Sequence, residues 1–210
     1  MTRILVADDH PLLRNGLKQV LNEQPDLEVS GEAEDSDQVL QRIDEEPWDV
    51  VVLDIAMPGR GGLDVLREIR RRRPELPVLV LSMHAEEQFA IRAIKAGASG
   101  YLSKSNASDE VVSAIRKVLT GKKYVSASLA ETLANALESE KQGDPHESLS
   151  DREFQVMRSI ASGRTVSQIA EEFSLSVKTV STYRARVLEK MNMRTNSELT
   201  RYAIQKGLVD

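Results

Sequence analysis

The stretch Ile4-Leu5-Val6-Ala7-Asp8-Asp9 decides the fold, together with a similar stretch further along the chain, Val50-Val51-Val52-Leu53-Asp54. In each, a run of four apolar residues ends in acidic residues. Unbroken apolar runs of this length are typical of strands buried on both faces, as in a parallel sheet covered by helices. Ligands of open α/β folds bind where the carboxyl ends of such strands meet. We therefore expect Asp8, Asp9 and Asp54 to lie together at one edge of a sheet.

Three clustered carboxylates predict a site that binds a divalent cation and accepts a phosphoryl group. The carboxylates repel one another, and a hard cation relieves that repulsion. Mg²⁺ is the expected ion, because it takes one or two carboxylates together with waters and phosphate oxygens. Attack by a carboxylate on phosphorus also requires neutralised charge and in-line positioning. Ser82, after the apolar run 78–81, and Lys104, after the run 100–102, can supply a hydrogen bond and a positive charge.

The first 120 residues alternate apolar strand runs with helical patterns, which is the signature of a parallel α/β sheet. Apolar stripes at helical spacing follow the first, third and fifth strands, and each stripe would pack on the sheet. The predicted strands lie near residues 3–8, 27–32, 49–54, 77–82 and 99–103.

Composition limits the class of protein. The chain of 210 residues suits one large or two ordinary domains. It has no cysteine, which excludes disulfides and thiolate metal sites, and its histidines (His10, His84 and His146) are too scattered to suggest zinc, so ordinary structural roles are expected for them. No stretch approaches the roughly 18 apolar residues of a membrane span, and no signal peptide opens the chain, so we expect a cytoplasmic protein that does not enter a membrane.

The character of the sequence changes after residue 125. A helical stripe of Leu129, Leu133, Ala136 and Leu137 comes first, and residues 139–148, which contain no apolar residue, are predicted to be a flexible linker. Four short helices should follow, near 151–161, 166–173, 177–191 and 196–206. Three capping boxes and two helix-terminating glycines mark their ends: Ser150/Glu153, Thr165/Gln168, Thr195/Glu198, Gly163 and Gly207.

The second and third of these helices form a predicted helix-turn-helix, because only residues 174–176 separate them. Its second helix would bury Val180, Val187 and Met191, with Tyr183 and Leu188 beside them. Although the whole chain carries a net charge of -5, residues 149–210 contain 10 basic and 7 acidic residues, and residues 176–194 carry five cations against Glu189 alone. A solvated helix face would explain the polar positions but not the clustered cations, which indicate nucleic acid.

Over essentially its whole length the chain resembles the NarL/FixJ family of two-component response regulators, and its C-terminal stretch is similar to the Gac/Uvr-type members. The matching residues in the first domain are Asp8-Asp9, Asp54-x-x-Met57-Pro58, Ser82, Tyr101 and Lys104. In the second domain they are Leu149-Ser-Asp-Arg-Glu153, Ile169-Ala170 and Lys178-Thr-Val-Ser-Thr-Tyr-Arg-Ala-Arg186.

The resemblance implies three parts of the chain. Residues 1–122 would form an α/β, flavodoxin-like (βα)5 receiver domain whose parallel strands are ordered 2-1-3-4-5. Residues 123–148 would form a linker helix and a flexible linker. Residues 149–210 would form an all-α, four-helix, LuxR-type helix-turn-helix domain.

The resemblance also implies roles for individual residues. A sensor histidine kinase would phosphorylate Asp54, while Asp9, Asp54 and the backbone carbonyl of Ala56 hold Mg²⁺ and Asp8 assists through water. Lys104 would bind the acyl phosphate, and Ser82 and Tyr101 would move as a switch that promotes dimers. Double-stranded DNA would be contacted by the helix 177–191, through Lys178, Thr179, Ser181, Thr182, Arg184, Ala185, Arg186 and Lys190. RNA polymerase is a further expected partner, and the protein would not be an enzyme beyond autophosphorylation from small donors and autodephosphorylation.

Two other functions are compatible with parts of the sequence. A phosphatase of the dehalogenase type would also use an aspartate at a strand end, but it expects a second aspartate two residues later, where Ala56 stands. A phosphorylation-dependent adaptor that binds no DNA would need the first domain only. Such an adaptor has no need of the cations at Lys178, Arg184, Arg186 and Lys190.

Overall fold

A computed structural model of the 210-residue chain describes residues 1–57, 61–83, 87–126, 129–130, 144–173 and 175–209. The chain divides into two compact units, Met1–Leu137 and Glu138–Asp210, and each is described by itself. Among the described residues, no helix is both long enough and apolar enough to cross a membrane.

The first unit contains a five-stranded parallel sheet. Its strands are β1 (Thr2–Ala7), β2 (Leu27–Ala33), β3 (Val50–Asp54), β4 (Val78–Ser82) and β5 (Gly100–Ser103), in the order β2-β1-β3-β4-β5. Both the strand positions and the strand order confirm the prediction from sequence. β3 and β4 are buried along their whole length, as their unbroken apolar runs require.

Helices α1 (Pro11–Asn22), α2 (Ser36–Glu45), α3 (Gly62–Arg72), α4 (Glu87–Lys95) and α5 (Ala107–Leu119) follow the strands in turn. The apolar stripes predicted from sequence face the sheet. On α1 and α5, for example, Leu17, Leu21, Val111 and Ile115 are buried in one cluster with side chains of β1, β3 and β4. The helices therefore fix the sheet from both faces and leave the carboxyl ends of its strands for the site.

Residues after α5 return to the open edge of β5. The Tyr101 N–H donates to the Tyr124 carbonyl and the Tyr124 N–H donates to the Ser99 carbonyl, both at 3.0 Å. The Tyr124 ring packs on the core cluster, and its hydroxyl donates to Glu110 at 2.8 Å. A Cβ atom on Gly100 would lie 2.8 Å from the Cβ of Tyr124, so this close approach requires glycine.

The second unit consists of short helices in the order that the sequence predicts: α6 (Asp151–Ala161), α7 (Val166–Glu172), α8 (Val177–Lys190) and α9 (Asn196–Gln205). All three predicted capping boxes are present, with the side chain and backbone bonds of each in place. Gly163 and Gly207 have φ values of 82° and 63°, the left-handed conformation that ends a helix. Val180, Val187 and Met191 are buried, as their spacing predicts.

Residues 145–148 differ from the flexible linker that the sequence predicts, because they form a 3-10 turn (Pro145–Ser148). His146 is buried in this turn, its Nδ1 lies 2.8 Å from the Tyr202 hydroxyl, and its ring contacts Phe154 and Tyr202. Asp144 also pairs with Lys206 at 2.6 Å. The prediction of a flexible linker rests on the absence of apolar residues. It misses this turn because histidine is not counted as apolar, although the ring of His146 packs against Phe154 and Tyr202.

Some sequence predictions lie outside the described residues. They are Pro58 of the acidic-site motif, His84, the linker-helix residues Leu133, Ala136 and Leu137, residues 139–143 of the flexible linker, and Ser174 in the turn between α7 and α8. Leu129, the first residue of the predicted stripe, is described and is buried.

Gly62 provides a test of the packing around β3, and Gly16 provides its control. A Cβ atom on Gly62, at the start of α3, would lie 2.3 Å from the Cα of Ile55, whereas nothing lies within 4 Å of a Cβ on Gly16 of α1. We expect Gly62→Ala to lower the free energy of unfolding by about 1–3 kcal/mol, since the backbone must move. Gly16→Ala should raise it by about 0.5–1 kcal/mol, because alanine loses less chain entropy in a helix. Urea unfolding measures both, and a stabilised Gly62→Ala would contradict the packing described here.

Candidate functional site

The carboxyl edge of the sheet brings together the polar residues that end its strands. Asp8 and Asp9 follow β1, Asp54 and Ser82 end β3 and β4, and Lys104 follows β5. One potential ligand atom from each of Asp8, Asp9, His10 and Asp54 lies within 4.8 Å of the others. The structure therefore assembles the acidic cluster predicted from sequence and adds His10 to it.

Lys104 joins the two most buried carboxylates. Its Nζ lies 2.7 Å from Oδ2 of Asp54 and 2.8 Å from Oδ2 of Asp8, and both aspartates have no solvent exposure. Burial lowers the pKa of Lys104, but the attraction of Asp54 and Asp8 outweighs burial, so its pKa is raised. The ammonium is therefore charged at neutral pH.

Asp54 is enclosed by protein on both of its oxygens. Oδ2 accepts the bond from Lys104, and Oδ1 accepts the backbone N–H of Ala56 at 2.9 Å. Burial raises the pKa of Asp54, while the attraction of Lys104 only partly offsets this and the nearby charge of Asp8 adds to it. In the absence of a cation, the charged form of this side chain is therefore held at a free-energy cost.

Asp9 and His10 form the more exposed side of the cluster. The Nδ1 of His10 lies 2.8 Å from Oδ1 of Asp9 and 3.2 Å from Oδ1 of Asp8, and the backbone N–H of His10 donates to Asp8 at 2.8 Å. Among the described residues, Oδ1 of Asp9 accepts no hydrogen bond of normal geometry. The His10 side chain is 60% exposed, so it stands at the entrance to the cluster and not in the core.

The acidic cluster suits a hard divalent cation. Its donors are carboxylate oxygens from Asp8, Asp9 and Asp54, which is the ligand chemistry that Mg²⁺ prefers. Within the described residues the buried Oδ1 of Asp9 accepts no hydrogen bond of normal geometry, and its close polar neighbour is Nδ1 of His10 at 2.8 Å. The residues present therefore fit a magnesium ion.

Ser82 and Tyr101 lie on neighbouring strands next to this cluster. Both are buried, and a hydrogen bond joins their side chains. Burial raises the pKa of Tyr101 to about 12, although the bond with Ser82 acts in the opposite direction. Tyr101 therefore keeps its proton at physiological pH, and its ring occupies an inward position.

A second candidate site lies on α8, in the other unit. Lys178, Ser181, Thr182, Ala185 and Arg186 are all exposed there, as predicted from sequence. Their spacing of three, four, seven and eight residues places them on one face of the helix. This face carries cations and hydroxyl groups, which suits contacts with nucleic acid.

Three other predicted DNA contacts on α8 are engaged within the unit. Thr179 contacts the capping residue Ser176: its backbone N–H donates to the Ser176 hydroxyl at 3.0 Å, and the two hydroxyls lie 2.8 Å apart. Arg184 donates to Asn196 at 2.7 Å, and Nζ of Lys190 lies 2.6 Å from Oε2 of Glu153, which also completes the capping box of α6. Lys190 therefore balances a buried carboxylate, and this role was not visible in the sequence.

Comparison with known proteins identifies both units. Residues 4–116 match the family of response regulator receiver domains, and residues 147–203 match the luxR family of bacterial regulatory proteins. The chain belongs to the NarL/FixJ-type response regulators. It therefore combines a receiver domain with a LuxR-type DNA-binding domain and regulates transcription in response to phosphorylation.

Several relatives span nearly the whole of this response regulator. It is 40% identical to response regulator UvrY of Escherichia coli K12 over 99% of this chain and 96% of that one, and 38% identical to response regulator GacA of Pseudomonas aeruginosa over 100% and 99%. Among solved structures it is similar to the RcsB response regulator of Salmonella typhimurium, with 26% identity, coverage of 96% and 97%, and a TM-score of 0.60. RcsB has also been solved in complex with DNA and as two dimers on parallel DNAs.

The raised pKa of Asp54 makes the stability of this response regulator depend on pH. The folded state holds the proton of Asp54 more tightly than the unfolded state, so the contribution of this group to stability is present at low pH and is lost as pH rises through its folded pKa. In metal-free buffer at pH 7, Asp54→Asn should therefore be more stable than the wild type, and Lys104 keeps its pairing with Asp8 in this variant. Thermal unfolding should show the difference shrinking toward pH 4.

Asp26→Asn is the matched control for this measurement. Asp26 is exposed, and its hydrogen bond with Arg116 lowers its pKa. Its charge therefore favours folding above its pKa, and Asp26→Asn should not be stabilised at pH 7. A destabilised Asp54→Asn in metal-free buffer would mean that the attraction of Lys104 exceeds the cost of burial.

Proposed function

We propose that a sensor histidine kinase phosphorylates this response regulator on Asp54, and that phosphorylation controls dimerisation and DNA binding. One observation carries the proposal. Asp54 ends the central strand β3 with its Oδ2 on the ammonium of Lys104, and Asp8 and Asp9 lie beside it. A nucleophile, a fixed positive charge and a set of cation ligands therefore occupy the same edge of the sheet.

The groups around Asp54 can support phosphoryl transfer. An oxygen of Asp54 would bond to phosphorus as the bond from phosphorus to the kinase histidine nitrogen breaks, and the nitrogen would keep the bonding electron pair. Asp9, Asp54 and the Ala56 carbonyl would hold Mg²⁺, with Asp8 acting through water, and the bound ion would neutralise phosphoryl oxygens. Lys104 would then pair with the acyl phosphate, which requires it to leave part of its contact with Asp8 or Asp54.

Ser82 and Tyr101 would carry the change away from the site. In the structure their side chains are hydrogen-bonded and buried. A phosphoryl group on Asp54 would compete with Tyr101 for the Ser82 hydroxyl, because a phosphate oxygen is the stronger acceptor. The hydroxyl would then turn toward the phosphoryl group, and the position of Tyr101 would report the phosphorylation state.

The exposed face of α8 would bind the major groove of double-stranded DNA. Arg186 can bond to base edges, and Lys178 near the start of the helix can reach a phosphate. The DNA complexes and dimers of RcsB support DNA as the ligand and a homodimer as the binding form. The exposed cations also argue against an adaptor that binds no DNA, and the methyl group of Ala56 cannot act as the general acid of a dehalogenase-type phosphatase.

Phosphorylation of Asp54 can be tested directly. Incubation with Mg²⁺ and radiolabelled acetyl phosphate should label the wild type to about one phosphoryl group per chain, and Asp54→Asn should remain unlabelled. Asp64→Asn is a control, because Asp64 is an exposed residue of α3 paired with Arg67. Stoichiometric labelling of Asp54→Asn at an acid-stable or different residue would overturn the assignment.

A second experiment separates affinity from specificity on α8. Lys178→Ala should weaken binding to operator and random DNA alike and reduce the dependence of log affinity on log salt by about one unit. Arg186→Ala should instead lose about 1–3 kcal/mol of discrimination between the two DNAs. Lys206→Ala, which removes a cation paired with Asp144 outside α8, is the control. Lys190 is unsuitable, because its removal also leaves the buried carboxylate of Glu153 without its cation.

One pattern of results would contradict the face of α8 that we assign to DNA. If Lys178→Ala changed the ratio of the two affinities while Arg186→Ala left it intact, the groove would face a different side of α8. Titrations over a salt series with each variant give both quantities.

A further inference from the structure

Arg14 joins three segments of the chain next to the acidic cluster. It is the fourth residue of α1, and its side chain is only 9% exposed. Its three guanidinium nitrogens bond to three different acceptors: the backbone carbonyl of Asp8 at 2.7 Å, Glu32 at 2.9 Å and Glu34 at 2.6 Å. A planar guanidinium can bind several acceptors at fixed angles, which a lysine ammonium cannot do.

The charges around Arg14 balance one another. Lys18 lies 2.6 Å from Glu32, so two cations face Glu32 and Glu34. The bond with Lys18 lowers the pKa of Glu32 against the effect of burial, and Arg14 acts in the same direction. Since the four charges sum to zero, this cluster exerts little net field on the acidic site. Its effect on that site must come mainly from the position of the atoms that it binds.

The atom that matters is the carbonyl oxygen of Asp8. The N–H of Asp8 donates to Ala33 at 3.1 Å, and Arg14 binds the carbonyl of the same residue, so the backbone of Asp8 is held on both sides. Asp9 follows directly. Without the bond from Arg14, the peptide between Asp8 and Asp9 would be free to rotate, and the carboxylate of Asp9 would move with it.

We infer that Arg14 is a positioning residue, which holds the Asp8–Asp9 peptide so that the two carboxylates face a divalent cation. The inference rests on the proposed function, because it assigns Arg14 a part in forming that metal site. Partners that orient metal ligands commonly affect metal affinity by 10- to 100-fold, although they do not touch the ion.

Substitution of Arg14 separates position from charge. Arg14→Met removes the bond to the Asp8 carbonyl and one positive charge. Lys18→Met removes the same charge from the same glutamate but leaves the Asp8 carbonyl bound. If only the positive charge were lost, the acidic cluster would attract Mg²⁺ more strongly. If the Asp8–Asp9 peptide moved, the cluster would bind Mg²⁺ more weakly. The two causes therefore act in opposite directions.

Isothermal titration of metal-free protein with Mg²⁺ measures the effect without any phosphodonor. We expect Arg14→Met to bind Mg²⁺ roughly tenfold more weakly than the wild type. Lys18→Met should bind it as tightly as the wild type or more tightly. Arg14→Lys keeps the charge but has one nitrogen where Arg14 has three, so it cannot hold all three acceptors in the same geometry, and its affinity should lie between those of Arg14→Met and the wild type.

Unfolding experiments test whether a substitution weakens Mg²⁺ binding only because it destabilises the whole fold. The melting temperature of each variant is measured without and with Mg²⁺, because a ligand that binds the folded state raises it by an amount that grows with the logarithm of the ligand concentration divided by Kd. A variant with a lower melting temperature but an unchanged Mg²⁺ affinity would show that Arg14 only stabilises the fold, and this would overturn the inference. Arg14→Lys provides the decisive measurement if Arg14→Met does not fold.

Asp9→Asn distinguishes failure of this inference from failure of the proposed function. If the wild type binds Mg²⁺ and Asp9→Asn does not, the metal site is where we propose it. An unchanged affinity in Arg14→Met and Arg14→Lys would then overturn the role of Arg14 alone. If the wild type shows no Mg²⁺ binding that depends on Asp9, both proposals are wrong.

Discussion

The ion pairs of Lys104 with Asp8 and Asp54 are the interaction on which the receiver site depends. Two aspartates without solvent exposure lie on adjacent strands, and one ammonium lies within 2.8 Å of both. Removing Lys104 would leave two buried carboxylates without a cation, which typically costs several kcal/mol because no water solvates them. The strands are parallel, so the ends of β1 and β3 and the residue after β5 reach the same edge of the sheet. This brings the three side chains into contact.

The same pairing explains why the site is ready for a cation and a phosphoryl group. Lys104 neutralises only part of the negative charge, because the carboxylate of Asp9 lies nearby and pairs with neither Lys104 nor another lysine or arginine in the described part of the chain. A site that is stable but incompletely neutralised gains from added positive charge. Ser82 and Tyr101 are hydrogen-bonded to each other close to Asp54, and in the proposed switch they would respond to a change of charge on Asp54.

Most of the fold could be predicted from sequence because each strand and helix carries its own local signal. The unbroken apolar runs identified β1, β3 and β4, and the capping boxes located the starts of α6, α7 and α9 within about a residue. The contacts of Arg14 and Lys190 could not be predicted in this way. Arg14 reaches Glu32 across 18 positions and Lys190 reaches Glu153 across 37, and a charged residue on an amphipathic helix does not reveal which acceptor it will meet. The residue types of the acidic cluster were identified, but the place of His10 at its entrance was not.

The segment around Tyr124 limits how the sheets of two molecules can pair with each other. A parallel sheet has two outer strands, and unpaired backbone groups on an outer strand can bond to a strand of another chain. On β5 and the residue before it, Ser99 and Tyr101 already bond to the chain's own Tyr124, and the absence of a side chain on Gly100 lets that segment lie against the strand. This part of the edge is therefore closed to a foreign strand, so a strand of another molecule cannot extend the sheet there unless the segment around Tyr124 first moves away.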